Sequence, residues 1–366
     1  MQKIFLPARV FTGDQVLSDH AIVTENGFIT QVCSLSEITS RGESVPLQNA
    51  ILIPGFIDLQ IYGASQKLLA VHPTTEALQL LHDYCRNGGA VLFQPTVATN
   101  TIDVFYRCID AVRQYLQEGG KGCIGLHLEG PWINKAKKGA HPEEHIHSPK
   151  LSEVKELLAY GKGVISMITL APEVCSQDII KLLRENNIIL SAGHSNASYQ
   201  QAMEAFDKGI PAVTHLYNAM SALQHREPGL VGAAFKHPAA RASIIPDGHH
   251  VDYVAIAIAK DLMKERLFVI TDAVTETPEG VYRHQLEGDK YVSNGILSGS
   301  ALTMHKAFIN LIREVKIPFE EAARMCSLYP AQVMKLDNQF GKIAPGYAAQ
   351  FLVLDQEYNL LNVLNG

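Results

Sequence analysis

One pattern recurs along this chain: a short apolar run that stops on a residue able to hold a metal or carry a proton. Cys123-Ile124-Gly125-Leu126-His127-Leu128 runs into Glu129, and Gly130-Pro131 then turns the chain away. That turn leaves the carboxylate at the carboxyl end of a strand, facing a mouth and not a core. Residues 188–193 run into His194, residues 212–214 into His215 and residues 267–271 into Asp272. One carboxylate and two imidazoles suit a divalent metal such as zinc with positions left open, and a further carboxylate is the usual proton carrier beside it.

Apolar runs of strand length lie near residues 51–61, 90–94, 123–128, 164–170, 188–192, 212–214, 242–245 and 267–271. Most are separated by helical patterns. Ser176 is placed to cap a helix carrying Ile179, Ile180 and Leu183, and Thr74 or Thr75 one carrying Leu78, Leu81 and Cys85 that stops at Gly88-Gly89. Eight such strands predict a closed (β/α)8 barrel of the TIM type. An open doubly wound sheet is the competitor, but neither GxGxxG after the first strand nor GxxxxGK[ST] occurs.

A barrel takes about 250 residues, and this chain has 366. The remainder reads as β structure. Residues up to about 48 alternate apolar and polar, with the hairpin signal Asn26-Gly27, and a strand over 351–354 follows Gly341 to Gly346 near the other end. Neither piece is large enough to fold alone, so both ends are expected to form one small β-domain. The expected organisation is residues 1–50 and 337–366 in that domain, with the barrel over 51–336. A polar insertion, 276–294, falls where a lid could sit, and helices are expected near 302–315 and 318–335.

Net charge is −6 with scattered Lys and Arg, which excludes the basic stripe that nucleic acid or anionic lipid requires. No run approaches the roughly 18 apolar residues of a membrane span, and the first residues lack a secretory pattern, so a cytoplasmic protein is expected. Six cysteines, none in a CxxC pair, read as reduced, buried side chains.

In a barrel, functional residues emerge at the carboxyl ends of the strands. A lone histidine is more often structural and a lone strand-end carboxylate more often a helix cap. Four suitable residues at four strand ends point instead to a metal-dependent site.

The motifs Pro54-Gly55-Phe56-Ile57-Asp58, His127 to Trp132, Ser191 to Ala197, Thr214 to Met220, Arg226-Glu227-Pro228-Gly229, Asp247 to Val251 and Thr271-Asp272-Ala273 occur in this order. In these the sequence resembles the N-acetylglucosamine-6-phosphate deacetylases of the amidohydrolase superfamily, over nearly the whole chain. The resemblance implies that Glu129, His194 and His215 hold the metal and that Asp272 is the catalytic acid and base. His141 would steady the substrate carbonyl, His250 would bind sugar hydroxyls, and Asn218, Ala219 and Arg226 would take the 6-phosphate. Members are commonly dimers.

Many amidohydrolases carry His-x-His after the first strand for a second metal; here Gln60 and Tyr62 stand in those places. Neither is a good zinc ligand, so one divalent ion per subunit is expected, zinc ahead of iron, cobalt or manganese, with Gln60 near a metal-held water. Two other readings stay open: the galactosamine epimer as substrate, and a non-catalytic scaffold that keeps the fold.

Overall fold

The computed structural model describes residues 2–39 and 41–366. They form two compact units, one of residues 2–39, 41–57, 85–92 and 303–366, the other of 58–84 and 93–302.

The first unit contains a seven-stranded sheet that draws on both ends of the chain. Its path runs Leu360–Asn365, Gln350–Leu354, Glu43–Pro54, Gln2–Phe11, His20–Glu25 and Phe28–Ser34, with Val16–Ser18 paired to Gln2–Phe11. Alternation along these strands sends Phe5, Ile22, Ile29, Leu52 and Phe351 into one core. Phe5 and Phe351 meet edge to face, 5.4 Å between centroids. Asn26 and Gly27 both take positive φ, as a two-residue hairpin between right-twisted strands needs.

Two runs expected to be single elements are divided. Residues 51–61 break at Gly55: Glu43–Pro54 pairs with Gln350–Leu354 in the small sheet, whereas Phe56–Ile61 belongs to the barrel. A Cβ at Gly55 would stand 2.4 Å and 2.5 Å from the two γ-methyls of Val91, so only glycine fits this crossing. Residues 318–335 form two helices, Phe319–Cys326 and Leu328–Val333. Pro330 has no N–H to give the carbonyl of Cys326, and Ser327 leaves helical geometry and donates its hydroxyl to the Ala323 carbonyl.

The eight parallel strands of the barrel sheet are β1 (Phe56–Ile61), β2 (Ala90–Ala98), β3 (Leu126–Glu129), β4 (Ile165–Leu170), β5 (Ile189–Ala192), β6 (Ala212–Val213), β7 (Arg241–Ile244) and β8 (Leu267–Val269), neighbours in that order. The sheet closes just beyond the paired ladder. Ile61 bridges Ala273, the amide of Asp272 donates to the Gln60 carbonyl at 2.9 Å, and that of Tyr62 to the Ala273 carbonyl at 2.9 Å. The architecture is the α/β (β/α)8 barrel with a small β-domain drawn from both chain ends.

Helix Thr75–Asn87 is capped by Thr74, and Gln177–Glu185 by Ser176. The insertion is ordered as a three-stranded antiparallel sheet, Gln285–Glu287, Lys290–Ser293 and Ile296–Ser300. No helix among the described residues is long and apolar enough to cross a membrane. The six cysteines are free, and burial pushes the Cys108 thiol up to about 12 and that of Cys123 to about 11.

Truncating the central aromatic of the small sheet tests the packing. Phe351→Ala should cost about 3–5 kcal/mol, read as a lower urea midpoint at unchanged m-value.

Candidate active site

The four strand-end residues meet around one buried carboxylate. Glu129, the last residue of β3, is 2% exposed. Its Oε1 lies 3.0 Å from His215 Nε2 and 3.3 Å from His194 Nε2, and those two nitrogens are 3.1 Å apart. Its Oε2 lies 3.2 Å from His141 Nε2 and accepts from the Tyr62 hydroxyl at 2.6 Å. Burial raises the Glu129 carboxyl, while a charged His194 and hydrogen bonds from the histidines lower it; when their Nε2 atoms carry protons these outweigh burial and hold it well below the usual carboxylate range.

The backbone reaches this arrangement through strain. His194, His215 and Asp272 all follow their strands in the left-handed region, with φ of 47°, 36° and 55°. Non-glycine residues adopt it at a cost and hold it only where the surroundings fix them. Here hydrogen bonds do so: His194 O accepts from Asn134 N, His215 N donates to Ser243 Oγ, and Asp272 O accepts from Ser300 N. Gly130 turns the chain after β3 at φ 85°, where a Cβ would sit 2.2 Å from Thr99 Oγ1. That hydroxyl lies 2.7 Å from His141 Nδ1.

The His194 tautomer follows from its second nitrogen. His194 Nδ1 faces the Lys137 carbonyl at 2.9 Å and donates to it, which leaves a lone pair on Nε2. His215 Nδ1 is buried with no hydrogen-bond partner among the described residues. That nitrogen is unpaired in either tautomer, as a lone pair without a donor or as an N–H without an acceptor, so it does not decide which nitrogen of His215 carries the proton. With the proton on Nδ1, two imidazole lone pairs and a carboxylate converge on one point. Such a donor set, two nitrogens and a carboxylate oxygen, fits a divalent cation. Glu129, His141 and His194 also fall within one grouping of metal-ligating reach, so the site offers a fourth donor beside the three expected ones. Burial, then His194, pushes the His141 imidazole down to about 4. It is a neutral ring at pH 7.

Asp272 is tied to the same centre. Its Oδ1 accepts from Gln60 Nε2 at 2.7 Å and lies 3.2 Å from the Tyr62 hydroxyl, while Oδ2 has no hydrogen bond among the described residues. Burial first, then the Glu129 charge, pushes Asp272 well above the ordinary carboxyl range. Gln60 Nε2 also reaches Glu129 Oε1 at 3.1 Å, so the two positions where His-x-His would stand supply hydrogen-bond donors to both carboxylates.

Tyr62, Glu129, His141, His194, His215 and Asp272 line one cavity of about 190 Å³ with His250, Asn218 and Ala219. His250 donates Nδ1–H to Asp247 Oδ2 at 2.6 Å, and Asp247 Oδ1 accepts the amides of His249 and His250. Arg226 is not brought there: its side chain is exposed and makes no hydrogen bond or ion pair among the described residues. Glu227 does not pair with it either, since its Oε1 accepts the amides of Tyr199 and Gly229.

Sequence reasoning missed several lining residues. Tyr282 and His284 lie in the insertion and reach the cavity, and the Tyr282 hydroxyl donates to the Thr99 carbonyl at 2.8 Å. Their signal was present as two ring residues at period two in a polar stretch. Asp58 ends the motif that starts at Pro54. Buried, its carboxyl accepts from the amide and hydroxyl of Thr271, the residue before Asp272, and burial pushes it up to about 6 against those hydrogen bonds.

This chain belongs to the amidohydrolase family. The model of the Amidohydrolase family matches residues 51–365, and that of the NagA composite domain matches residues 5–52. The N-acetylglucosamine-6-phosphate deacetylase of Haemophilus influenzae is 32% identical over 98% of this chain and 96% of its own. An N-acetylgalactosamine-6-phosphate deacetylase of a Shewanella species is 34% identical over 97% of this chain and 93% of its own. The crystal structure of N-acetylglucosamine-6-phosphate deacetylase from Pasteurella multocida superimposes with a TM-score of 0.95 at 32% identity, covering 100% of this chain and 98% of that one. The protein is therefore a hydrolase of this family.

The buried His127, flanked by Thr169 Oγ1 at 2.8 Å and the Leu59 carbonyl at 3.3 Å, gives a pH test. Burial pushes its imidazole down to about 4 from the ordinary 6.5. Folding therefore favours its neutral form, a contribution present above about pH 6.5 and lost as pH falls toward 4, worth up to about 3 kcal/mol. Urea titrations across that window should show a shallower loss of stability in His127→Gln, by close to one proton.

Proposed function

We propose that the protein hydrolyses the N-acetyl group of N-acetylglucosamine 6-phosphate, releasing acetate and glucosamine 6-phosphate. The observation that carries this reading is the convergence of Glu129, His194 and His215 on one point beside Asp272, in a chain with deacetylases among its full-length relatives. Glu129, His194 and His215 would hold one divalent ion, zinc by preference. When bound, that ion acidifies a water, polarises the acetyl carbonyl and favours the carboxylate form of Asp272.

Gln60 and Tyr62 fix Asp272 through Oδ1 and leave Oδ2 to exchange a proton with substrate or water. Asp272 takes the proton of the attacking water as the tetrahedral centre forms. It then delivers that proton to the departing nitrogen, which leaves poorly unless protonated. His141, neutral and held by Thr99, is placed to steady the carbonyl, and His250, oriented by Asp247, to bind sugar hydroxyls.

The 6-phosphate falls to Asn218, Ala219 and Arg226. Because Arg226 stands outside the cavity of its own chain, we assign it to the site of a second copy, and the protein to a homodimer. Helix Tyr253–Met263 supports this, since Val254, Ile258 and Leu262, spaced four apart, are 68%, 51% and 50% exposed. The Shewanella relative favours a second reading, with the galactosamine epimer as substrate.

Acetate release from N-acetylglucosamine 6-phosphate, its galactosamine epimer and unphosphorylated N-acetylglucosamine separates these readings; no release from any of them by metal-loaded protein would overturn both. Chelation should abolish turnover and added zinc restore it. Asp272→Asn should retain metal yet lose roughly three or more orders of magnitude in kcat. Arg226→Ala should raise KM for the phosphorylated sugar and spare the unphosphorylated one; an equal loss on both would remove it from phosphate recognition.

A further inference from the structure

The short turn after β4, Pro172–Val174, carries a half-buried carboxylate that the chemistry above does not use. Glu173 pairs with no Lys, Arg or His among the described residues. Its two oxygens instead take three donors from two neighbouring loops. Oε1 accepts from Asn134 Nδ2 at 2.9 Å and from the Asn196 amide at 2.6 Å, and Oε2 accepts from the Ser195 hydroxyl at 2.7 Å. Ser195 and Asn196 follow His194 directly, whereas Asn134 lies in the loop after β3.

Both loops grip His194. The Asn134 amide donates to the His194 carbonyl at 2.9 Å, and the Lys137 carbonyl accepts from His194 Nδ1 at 2.9 Å. Asn134 also shapes the turn that presents Lys137: its Oδ1 accepts from the Ala136 amide at 2.9 Å, and its carbonyl accepts from the Lys137 amide at 2.8 Å. Glu173 is therefore tied to the ring of His194 through Asn134 and to its backbone through Ser195 and Asn196. At φ 47° that backbone is costly to hold. An ionised acceptor suits the task, since its hydrogen bonds are roughly twice as strong as neutral ones.

Resting on the reading of His194 as a metal ligand, we infer that Glu173 is a positioning residue that fixes His194 for the divalent ion. It does not line the cavity, so it acts only through the groups it holds. The Lys137 carbonyl keeps the ring proton on Nδ1, and the tie through Glu173 keeps the Nε2 lone pair aimed at the point where Glu129 and His215 converge.

Zinc affinity, measured by competition with a chromogenic chelator, is the readout. Glu173→Leu removes the acceptor of all three bonds and should weaken zinc about ten- to a hundredfold. Glu173→Gln keeps an oxygen for Asn134 and Asn196, and the Ser195 hydroxyl can turn to accept from the new amide, so it should recover most of that loss. In a His194→Ala background, Glu173→Leu should shift zinc affinity by no more than about twofold, because the group it positions is gone.

A residue that merely stiffens the two loops would lower the melting temperature of the apo protein and leave zinc affinity where it was; that result overturns the inference, as does an equal loss of affinity with and without His194. If Glu173→Leu does not fold, Glu173→Asp decides, since it keeps the charge and withdraws it by one methylene: zinc affinity equal to wild type overturns the inference. A wild-type protein that holds zinc no more tightly than His194→Ala overturns the reading of His194 as a ligand, and this inference with it.

Discussion

A carboxylate taken out of water must be neutralised by what surrounds it, and Glu129 sets that demand for the whole site. His141, His194, His215, Gln60 and Tyr62 all reach its two oxygens, and they arrive from different strand ends and loops. The strained backbone at His194 and His215 follows from this, because a relaxed strand exit would carry the imidazoles away from the carboxylate. Asp272 is drawn into the same net through Gln60 and Tyr62, so its protonation cannot be separated from that of Glu129.

Closure of the barrel serves the same centre. The hydrogen bonds that join the end of β1 to the segment after β8 pass through the backbones of Gln60, Tyr62, Asp272 and Ala273. The residues that seal the sheet are thus the ones that position the carboxylate proposed as proton carrier. Asp58, buried against Thr271, adds a side-chain tie at the same seam.

Much of this was legible in the sequence because the relevant signals are local. Apolar runs ending on Glu129, His194, His215 and Asp272 betray the strands and the face on which the site stands. Capping by Thr74 and Ser176 and the turn at Asn26-Gly27 were readable for the same reason. What could not be read depends on three-dimensional neighbours. The division at Gly55 answers to the Val91 methyls, and the exposed position of Arg226 to the path of its loop. His284 looked like one more histidine in a polar stretch, since its burial is conferred by Tyr282, Tyr291 and Ser298, and only the folded insertion brings these together.

The insertion gives one cavity two walls of different origin. The groups proposed for bond making and breaking sit on barrel strand ends that closure holds rigid, whereas the facing wall is an excursion of three short strands returning through Ser300, whose amide caps the Asp272 carbonyl. Such an excursion can exchange its inward-facing residues without disturbing the ladder of the barrel. One wall of the cavity can therefore be redrafted through this one excursion, with the strand ends opposite it left unchanged.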